Sequence, residues 1–361
     1  MPIQNGKYKS PHWVDNSPPA IDAAELNAIS DTLENLDAGG GTGGGDGKRY
    51  ARFVIGTSTN GWTAEDCDYL CDGVDDQVEI NQAIEAIQKT PNYNAYYRSG
   101  TIVILDGRYH LSGPLSPILG MVLQGTGGTN LIRETESGGQ YRNYIIAGQN
   151  ATISNIFYEG NAENLSGMES ETYDIYLNGG SIIDNCSIQN YTHGGIFVLA
   201  QNDTVEIRNS EISSIFSSSN VGIHCEKSYV LRLLGNRLSS NANVEVVGSA
   251  SYYTCCMFVN NSAPYNAIAP DYSLDMCAGS YICNNDFRII QILNTGNFSL
   301  STSNIVIGNH AQNGYITDLI VLGENTSRNI VALNNLFYNN VLCTIQDNGT
   351  NNLVINNIAG T

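Results

Sequence analysis

Five segments of the sequence share one pattern, in which two apolar residues flank a single central residue. In a β-strand successive side chains point to opposite faces, so a buried flanking pair leaves the central residue facing outward. The flanking pairs are Ile175/Leu177, Ile196/Val198, Ile223/Cys225, Val244/Val246 and Leu274/Met276. The central residues are Tyr176, Phe197, His224, Glu245 and Asp275. This set combines two aromatic rings with three groups that can exchange protons.

These five residues predict a carbohydrate site if the five strands stack in register. Aromatic faces pack against the apolar faces of sugar rings, which assigns Tyr176 and Phe197 to substrate binding. Glu245 and Asp275 on neighbouring strands would lie about 5 Å apart, the carboxylate separation of retaining glycosidases. Repulsion between the two charges would raise the pKa of one of them and supply an acid. With His224, these carboxylates form the candidate catalytic set.

An alternative interpretation gives the same residues no chemical role. They would then be ordinary outward residues of a sheet that is covered by loops or by a neighbouring subunit. The five segments are unevenly spaced and align only with gaps. A shift of one residue would reverse which side chains face outward. One nearby acid has a purely structural interpretation: Asp184 precedes Asn185 as Arg208 precedes Asn209, which predicts a salt bridge between stacked strands.

An acidic stretch, DGVDDQVEINQAI at residues 72–84, leads into an apolar-periodic segment. Asp76 and Glu79 have the spacing of a capping box, in which each side chain accepts a backbone N–H from the other residue. We predict a cap helix over about residues 75–88. One face of that helix would bury Ile80, Ala83, Ile84 and Ile87.

Metal binding is the alternative interpretation of this region. The stretch lacks the alternating oxygen ligands of a calcium loop. Cys67 and Cys71 form an isolated C-x₃-C pair without a second ligand pair for zinc. We therefore expect neither a metal site nor a cofactor.

An apolar residue, any residue and then asparagine recur nine times from Ile153 onward. The asparagines are Asn155, Asn185, Asn209, Asn236, Asn260, Asn285, Asn309, Asn335 and Asn357. Successive asparagines are 22 to 30 residues apart. Repeats of this length indicate stacked units, in which the apolar residue points inward and the asparagine turns a corner. Stacked carboxamides can hydrogen-bond from one repeat to the next. We predict an all-β fold, a right-handed parallel β-helix over residues 50–361.

The first 49 residues differ in character from the repeats. Residues 21–37 space Leu26, Ile29, Leu33 and Leu36 as in a short helix that buries one seam. Two heptads are too few for a stable isolated helix, so residues 1–37 are predicted to attach and oligomerise the chain. A helix packed on its own domain is the alternative. Residues 38–49 are a flexible Gly-rich linker by composition.

Charge and hydropathy exclude two classes of partner. The formal net charge is −19 with 16 Lys and Arg, so no basic surface is available for nucleic acid. No run of about 18 apolar residues occurs, and we expect no membrane insertion. The N-terminus also lacks the apolar core of a signal peptide.

Several segments resemble the entry to the pectate-lyase-like superfamily of parallel β-helices, in the version found in tail proteins of phages and prophages. They are FVIGTSTNGWTAEDCDYLCDGVDDQVEINQAI, GTIVILDGRYHLSGPL and MVLQGTGG, within residues 50–130. WVDNSPPAIDAAELNAISDTLENL, at 13–36, is similar to the N-terminal helix of tail fibres and spikes. The resemblance implies a trimeric or particle-attached β-helix in the virion tail, assembled in the bacterial cytoplasm. It also implies contacts with tail or baseplate proteins and a β-helix that binds or cuts bacterial surface polysaccharide.

Two functions of different classes follow from these features. One is a structural, receptor-binding tail protein, and the other is a tailspike enzyme, a glycoside hydrolase or polysaccharide lyase. Polygalacturonases carry Asn-Thr-Asp and Gly-His-Gly, whereas this chain has NTG at 294–296 and HGG at 193–195. We favour the receptor-binding protein because these catalytic motifs are not met.

Overall fold

The computed structural model describes two compact units, Met1–Arg49 and Tyr50–Thr361. In the first it describes an antiparallel pair, Ile3–Gln4 with Lys7–Tyr8. The predicted helix at 21–37 and the linker at 38–49 lie outside the described residues. In the second unit the described residues are 51–91, 93–94, 96, 99–134, 143–164, 173–191, 193–199, 203–214, 221–226, 230–239, 242–248, 254–262, 271–295, 303–311, 318–334, 336–338, 341–342 and 344–357.

Three sheets with parallel strands make up most of the second unit. The first sheet contains Ala51–Thr57, Tyr69–Cys71, Gly100–Ile104, Met121–Gly125, Thr152–Ser154, Ile182–Asp184, Thr204–Arg208, Val230–Leu234, Cys255–Val259, Tyr281–Cys283, Ile305–Ile307, Ile330–Ala332 and Leu353–Ile355. The second sheet contains Gly107–Leu111, Thr129–Arg133, Phe157–Glu159, Ser187–Gln189, Glu211–Ser213 and Arg237–Ser239. The third sheet contains Ile145–Ala147, Tyr173–Leu177, Gly194–Leu199, Val221–Glu226, Asn243–Val247, Asp271–Asp275, Ile289–Leu293, Asp318–Leu322 and Thr344–Asp347.

The remaining described elements are short. Asp286–Phe287 pairs with His310–Ala311, and Phe337–Tyr338 pairs with Val341–Leu342. Two turns of 3₁₀-helix are Ser58–Asn60 and Ala162–Asn164. The described α-helix, α1, is Gln77–Gln88. Within the described ranges no helix is long and apolar enough to span a bilayer.

Each sheet turns alternate side chains into one apolar interior, where successive repeats stack. The clearest column lies in the first sheet and is at most 2% exposed: Ile153, Ile183, Ile207, Leu233, Phe258, Ile282, Val306 and Val331. The predicted parallel β-helix is confirmed. The motif is wrong by one residue for Leu234, Cys283 and Ile307, which are partly exposed, because the residue before each of them points inward. It is also wrong for Leu333 and Ile355, whose side chains are exposed.

The corner between the first and second sheets contains two adjacent columns rather than the single predicted asparagine column. The first is left-handed, with φ of 51–67°, and comprises Asn155, Asn185, Asn209, Gly235, Asn260, Asn284, Gly308, Leu333 and Asn356. The second begins one residue later and is a hydrogen-bonded ladder of Asn236, Asn261, Asn285, Asn309, Asn334 and Asn357. The predicted motif therefore mixed residues of both columns. Asn260 belongs to the left-handed column, and Asn335 lies outside the described residues.

Helix α1 begins after Asp76 and buries Ile80, Ala83, Ile84 and Ile87, as predicted. The predicted capping box is wrong, because Asp76 has helical backbone angles and makes no side-chain cap bond. Its buried carboxylate instead accepts the N–H of Gly73 at 2.8 Å and that of His110 at 2.7 Å. The carboxylate thus ties the start of α1 to the first strand of the second sheet.

The predicted salt bridge between Asp184 and Arg208 is confirmed. The two residues are register partners on neighbouring strands, and Nη2 of Arg208 lies 2.9 Å from Oδ2 of Asp184. The Arg208 hydrogen bond lowers the pKa of Asp184. The pair stabilises the strand register immediately before the asparagine corner.

Candidate functional site

A column of outward residues on the third sheet carries most of the predicted site. Register pairs Tyr176 with Phe197, Phe197 with His224, and His224 with Glu245. These four residues therefore occupy consecutive repeats, as the sequence predicts. Their neighbours in the same strands point into the core, which fixes their outward direction.

The predicted place of Asp275 in this column is wrong. Glu245 pairs with Ser273, and Asp275 is instead the partner of Val247. The inward residues of this strand are Tyr272 and Leu274, which shifts the assumed register by two residues. Asp275 hydrogen-bonds to the backbone N–H and the hydroxyl of Thr295. The structure therefore does not bring the predicted pair of carboxylates together.

The aromatic rings of the column stack on one another. The Tyr176 and Phe197 centroids are 5.7 Å apart with planes 27° apart, and those of Phe197 and His224 are 5.6 Å apart at 11°. Mutual stacking covers both faces of Phe197 and one face of Tyr176, where a sugar was predicted to pack. The stack presents ring edges instead, which carry positive partial charge and attract hydroxyl oxygens.

Tyr173 and His193 belong to the same cluster but do not follow the pattern from which the column was predicted. The Tyr173 ring centroid lies 5.2 Å from that of Phe197, 5.9 Å from that of His224 and 6.3 Å from that of His193. Its strand buries two consecutive residues, Asp174 and Ile175, so Tyr173 and Tyr176 both face outward. This irregularity breaks the alternation on which the prediction depended.

Gly194 makes the position of Tyr173 possible. A Cβ atom at Gly194 would lie 2.2 Å from two ring carbons of Tyr173, so a larger residue would displace the ring. Gly194 belongs to the HGG segment at 193–195. This segment therefore shapes the pocket through a close approach of ring and backbone.

The cluster surrounds a pocket of about 480 Å³ on the third sheet. Its lining residues are Asn143, Tyr173, Tyr176, His193, Phe197, His224 and Glu226. This volume lies within the range of small-molecule sites, and the mixture of rings with a few polar groups is typical of them. Glu226 was absent from the predicted set, although its place two residues after His224 in one strand puts both on the outward face.

His224 lies between two carboxylates. Its Nε2 is 3.3 Å from Oε1 of Glu226, and its Nδ1 is 3.3 Å from Oε2 of Glu245. Burial disfavours the imidazolium, but the hydrogen bonds and charges of Glu245 and Glu226 outweigh burial and raise the His224 pKa. Both glutamates are partly exposed and can accept hydrogen bonds from ligand hydroxyls.

We predict an NMR titration of His224 with a pKa above the ordinary value of about 6.5. Glu226→Gln and Glu245→Gln should each lower it, because each removes a negative charge from the imidazolium. The stabilisation from the charged imidazolium should be complete below pH 6.5 or so and lost as pH rises through the raised pKa. A His224 pKa at or below the ordinary value would contradict this electrostatic account.

A buried ion pair lies directly behind Tyr173. Nη1 of Arg133 is 2.6 Å from Oδ1 of Asp174, and the two side chains are 1% and 0% exposed. The guanidinium carbon also lies 4.3 Å from the ring centroid of Tyr144. Burial raises the Asp174 pKa against the opposing effect of Arg133. The pair joins the second sheet to the third beneath the pocket.

One cluster among the described residues offers three potential metal ligands, a thiol and two carboxylates. Cys71, Asp76 and Glu79 place one ligand atom each within 4.8 Å of one another. Burial raises the pKa of all three groups. Cys67 and Cys71 are both free thiols. The Asp76 carboxylate already holds two backbone N–H groups, which gives it a structural role at the start of α1.

Neither a protein-family model nor a curated protein matches this chain. Among solved structures, ORF18 of Geobacillus virus E2 is similar over 98% of this chain and 67% of that chain, with 15% identity and a TM-score of 0.57. DFA-IIIase from Arthrobacter chlorophenolicus A6, in complex with GF2, is similar over 82% of this chain and 93% of that chain, with 11% identity and a TM-score of 0.48. The AlgE6 A-module, a mannuronan C-5 epimerase of Azotobacter vinelandii, is similar over 80% of this chain and 97% of that chain, with 12% identity and a TM-score of 0.38. The similarity to the viral protein shows a shared fold.

Proposed function

We propose that the protein is a receptor-binding component of a phage tail, of the tail spike or tail fibre type, that recognises a bacterial surface glycan. The pocket on the third sheet carries this proposal. It combines ring edges, which attract hydroxyl oxygens, with the Glu226 carboxylate, and the Glu245 carboxylate lies beside it against His224. Both carboxylates accept hydrogen bonds from hydroxyl groups. A surface rich in hydroxyl groups satisfies both kinds of contact at once.

Two further observations support a phage tail origin. The N-terminal segments resemble those of tail fibres and spikes, and the fold is shared with a Geobacillus virus protein over nearly the whole chain. In this proposal residues 1–37 contact tail or baseplate proteins and associate three copies of the chain in the virion tail. The β-helix forms the shaft and presents the pocket to the cell surface.

A glycan-degrading enzyme is the second candidate function. It is favoured by Glu226 and Glu245, because each lies against one nitrogen of His224 at the edge of the pocket. Glu226 thus replaces Asp275 as the second carboxylate of the candidate catalytic set. A hydrolase or lyase that used these groups would need one of them to exchange a proton with the substrate.

A glycan array is the experiment that tests recognition. Wild-type protein should bind a subset of bacterial surface glycans, and Phe197→Ala should weaken that binding about tenfold or more because it removes the centre of the aromatic stack. Gln291→Ala is the matched control, since Gln291 lies two repeats beyond Glu245 in the same outward column. Equal binding by wild type and Phe197→Ala would exclude this pocket as the recognition site.

A further inference from the structure

A second depression lies at the corner between the first and second sheets. It encloses about 360 Å³ and crosses three repeats. Its walls include Phe157, Ser187 and Glu211 from the second sheet and Asn155, Asn185 and Asn209 from the left-handed corner column. None of these residues belongs to the pocket on the third sheet.

The depression follows from the sizes of three stacked residues. Phe157, Ser187 and Glu211 are register partners on consecutive strands of the second sheet. All three face outward, because Tyr158, Ile188 and Ile212 fill the core. Ser187 is the smallest, so the space above it is bounded by the Phe157 ring on one side and the Glu211 carboxylate on the other. A partly exposed aromatic ring beside a polar gap is a common feature of ligand sites.

The corner asparagines line the third side of this space. Their left-handed backbone directs consecutive carboxamides outward, and Asn185 and Asn209 are exposed. Nδ2 of Asn185 donates to Oδ1 of Asn155 at 2.8 Å, and Nδ2 of Asn209 donates to Oδ1 of Asp184 at 3.1 Å. These bonds hold the carboxamides in a fixed row.

The row retains hydrogen-bonding capacity after those contacts. Each carboxamide nitrogen carries two protons, and the bonds to Asn155 and Asp184 use one proton of Asn185 and one of Asn209. The Ser187 oxygen accepts from Nε2 of Gln189 at 2.9 Å and keeps its own proton for donation. Glu211 supplies a partly exposed acceptor. Donors and an acceptor thus converge beside one aromatic ring.

We propose that this depression is a second carbohydrate site that takes a neutral pyranose. The Phe157 ring contacts the C–H groups of the sugar, while the Asn185 and Asn209 amides and Glu211 pair with adjacent hydroxyls. The site lies on a different face from the pocket on the third sheet and does not depend on the function proposed for that pocket. A glycan chain could then be held at two places on one rod, which raises avidity.

Ligand-observed saturation-transfer NMR with cellobiose, maltose and lactose tests this site. The full-length protein should transfer saturation to at least one of the three disaccharides. Ser187→Tyr, which fills the depression, and Phe157→Ala, which removes its ring, should each raise the Kd of that disaccharide about tenfold or more. Both residues face outward, so thermal unfolding should show that both variants keep the fold.

Gln291→Ala serves as the matched control, because Gln291 faces outward on the third sheet and lines neither depression. We expect it to leave disaccharide transfer unchanged, with the contacts that Ser187→Tyr removes still present. Absence of transfer to all three disaccharides, or transfer that Ser187→Tyr and Phe157→Ala leave intact, would overturn the proposal. Transfer that only Phe197→Ala removes would assign the sugar to the third sheet, so this proposal would fail while the proposed function stands.

Discussion

Asp174→Ala is expected to lower the free energy of unfolding by about 3 to 5 kcal/mol, because it removes the carboxylate that pairs with the buried Arg133 guanidinium. Both side chains are almost completely buried, and their contact is the direct 2.6 Å bond between Nη1 and Oδ1. Unfolding of the purified variant in guanidinium chloride measures the loss of free energy of unfolding.

Two comparisons separate this effect from ordinary side-chain truncation. Glu85→Ala breaks the exposed Lys89–Glu85 pair of α1 and should cost about 0.5 kcal/mol or less. Replacing both buried partners, as Arg133→Met with Asp174→Leu, should recover most of the stability because no buried charge remains. An Asp174→Ala variant as stable as Glu85→Ala would show that the pair does not hold the corner.

Asn261→Ala should also destabilise the rod strongly, by about 2 to 5 kcal/mol, because it strips partners from several buried groups. Oδ1 of Asn261 accepts both the backbone N–H and Nδ2 of Asn236, at 3.0 and 2.9 Å. Its Nδ2 donates to the Leu233 carbonyl and to Oδ1 of Asn285, each at 2.9 Å. Asn261→Asp should be worse still, because a carboxylate would meet the Leu233 carbonyl as a second acceptor.

The preceding residue provides a control of the same residue type. Asn260 is exposed and left-handed, with φ of 55°, so Asn260→Gly should change the free energy of unfolding by less than about 1 kcal/mol. Unfolding curves of the two variants should therefore differ clearly although the substitutions are adjacent. Equal midpoints for Asn261→Ala and the wild type would exclude the ladder as a stabilising element.

The repeat architecture could be predicted because it depends on a period, and a period tolerates small errors of alignment. Asparagine recurs at the same corner in nine repeats, and the apolar residues before it supply the interior. The ladder register could not be predicted with the same accuracy. Doublets such as Asn260–Asn261 and Asn284–Asn285 offer two equivalent choices, and only the backbone shows which asparagine turns and which is buried.

Part of the candidate site could be predicted because it also depends on a regular pattern. Tyr176, Phe197, His224 and Glu245 each lie between two buried residues of a strand, so their outward column follows from that local pattern. The position of Asp275 was predicted wrongly because Met276 was assumed to be an inward residue of the same strand. The strand ends at Asp275, and Met276 has a left-handed backbone. Tyr173 was missed because Asp174 beside it is buried in an ion pair with Arg133, a partner 41 residues away in the chain.

The most direct test of the central claim is a titration with the surface polysaccharide that the array selects, followed by assay of the same samples for new reducing ends and unsaturated products. If the pocket on the third sheet recognises a glycan without cutting it, wild-type protein should show saturable binding that Phe197→Ala weakens and Gln291→Ala preserves. No new ends should accumulate in any of these samples. New ends that appear with wild type and disappear with Glu226→Gln or Glu245→Gln would contradict this account and identify an enzyme.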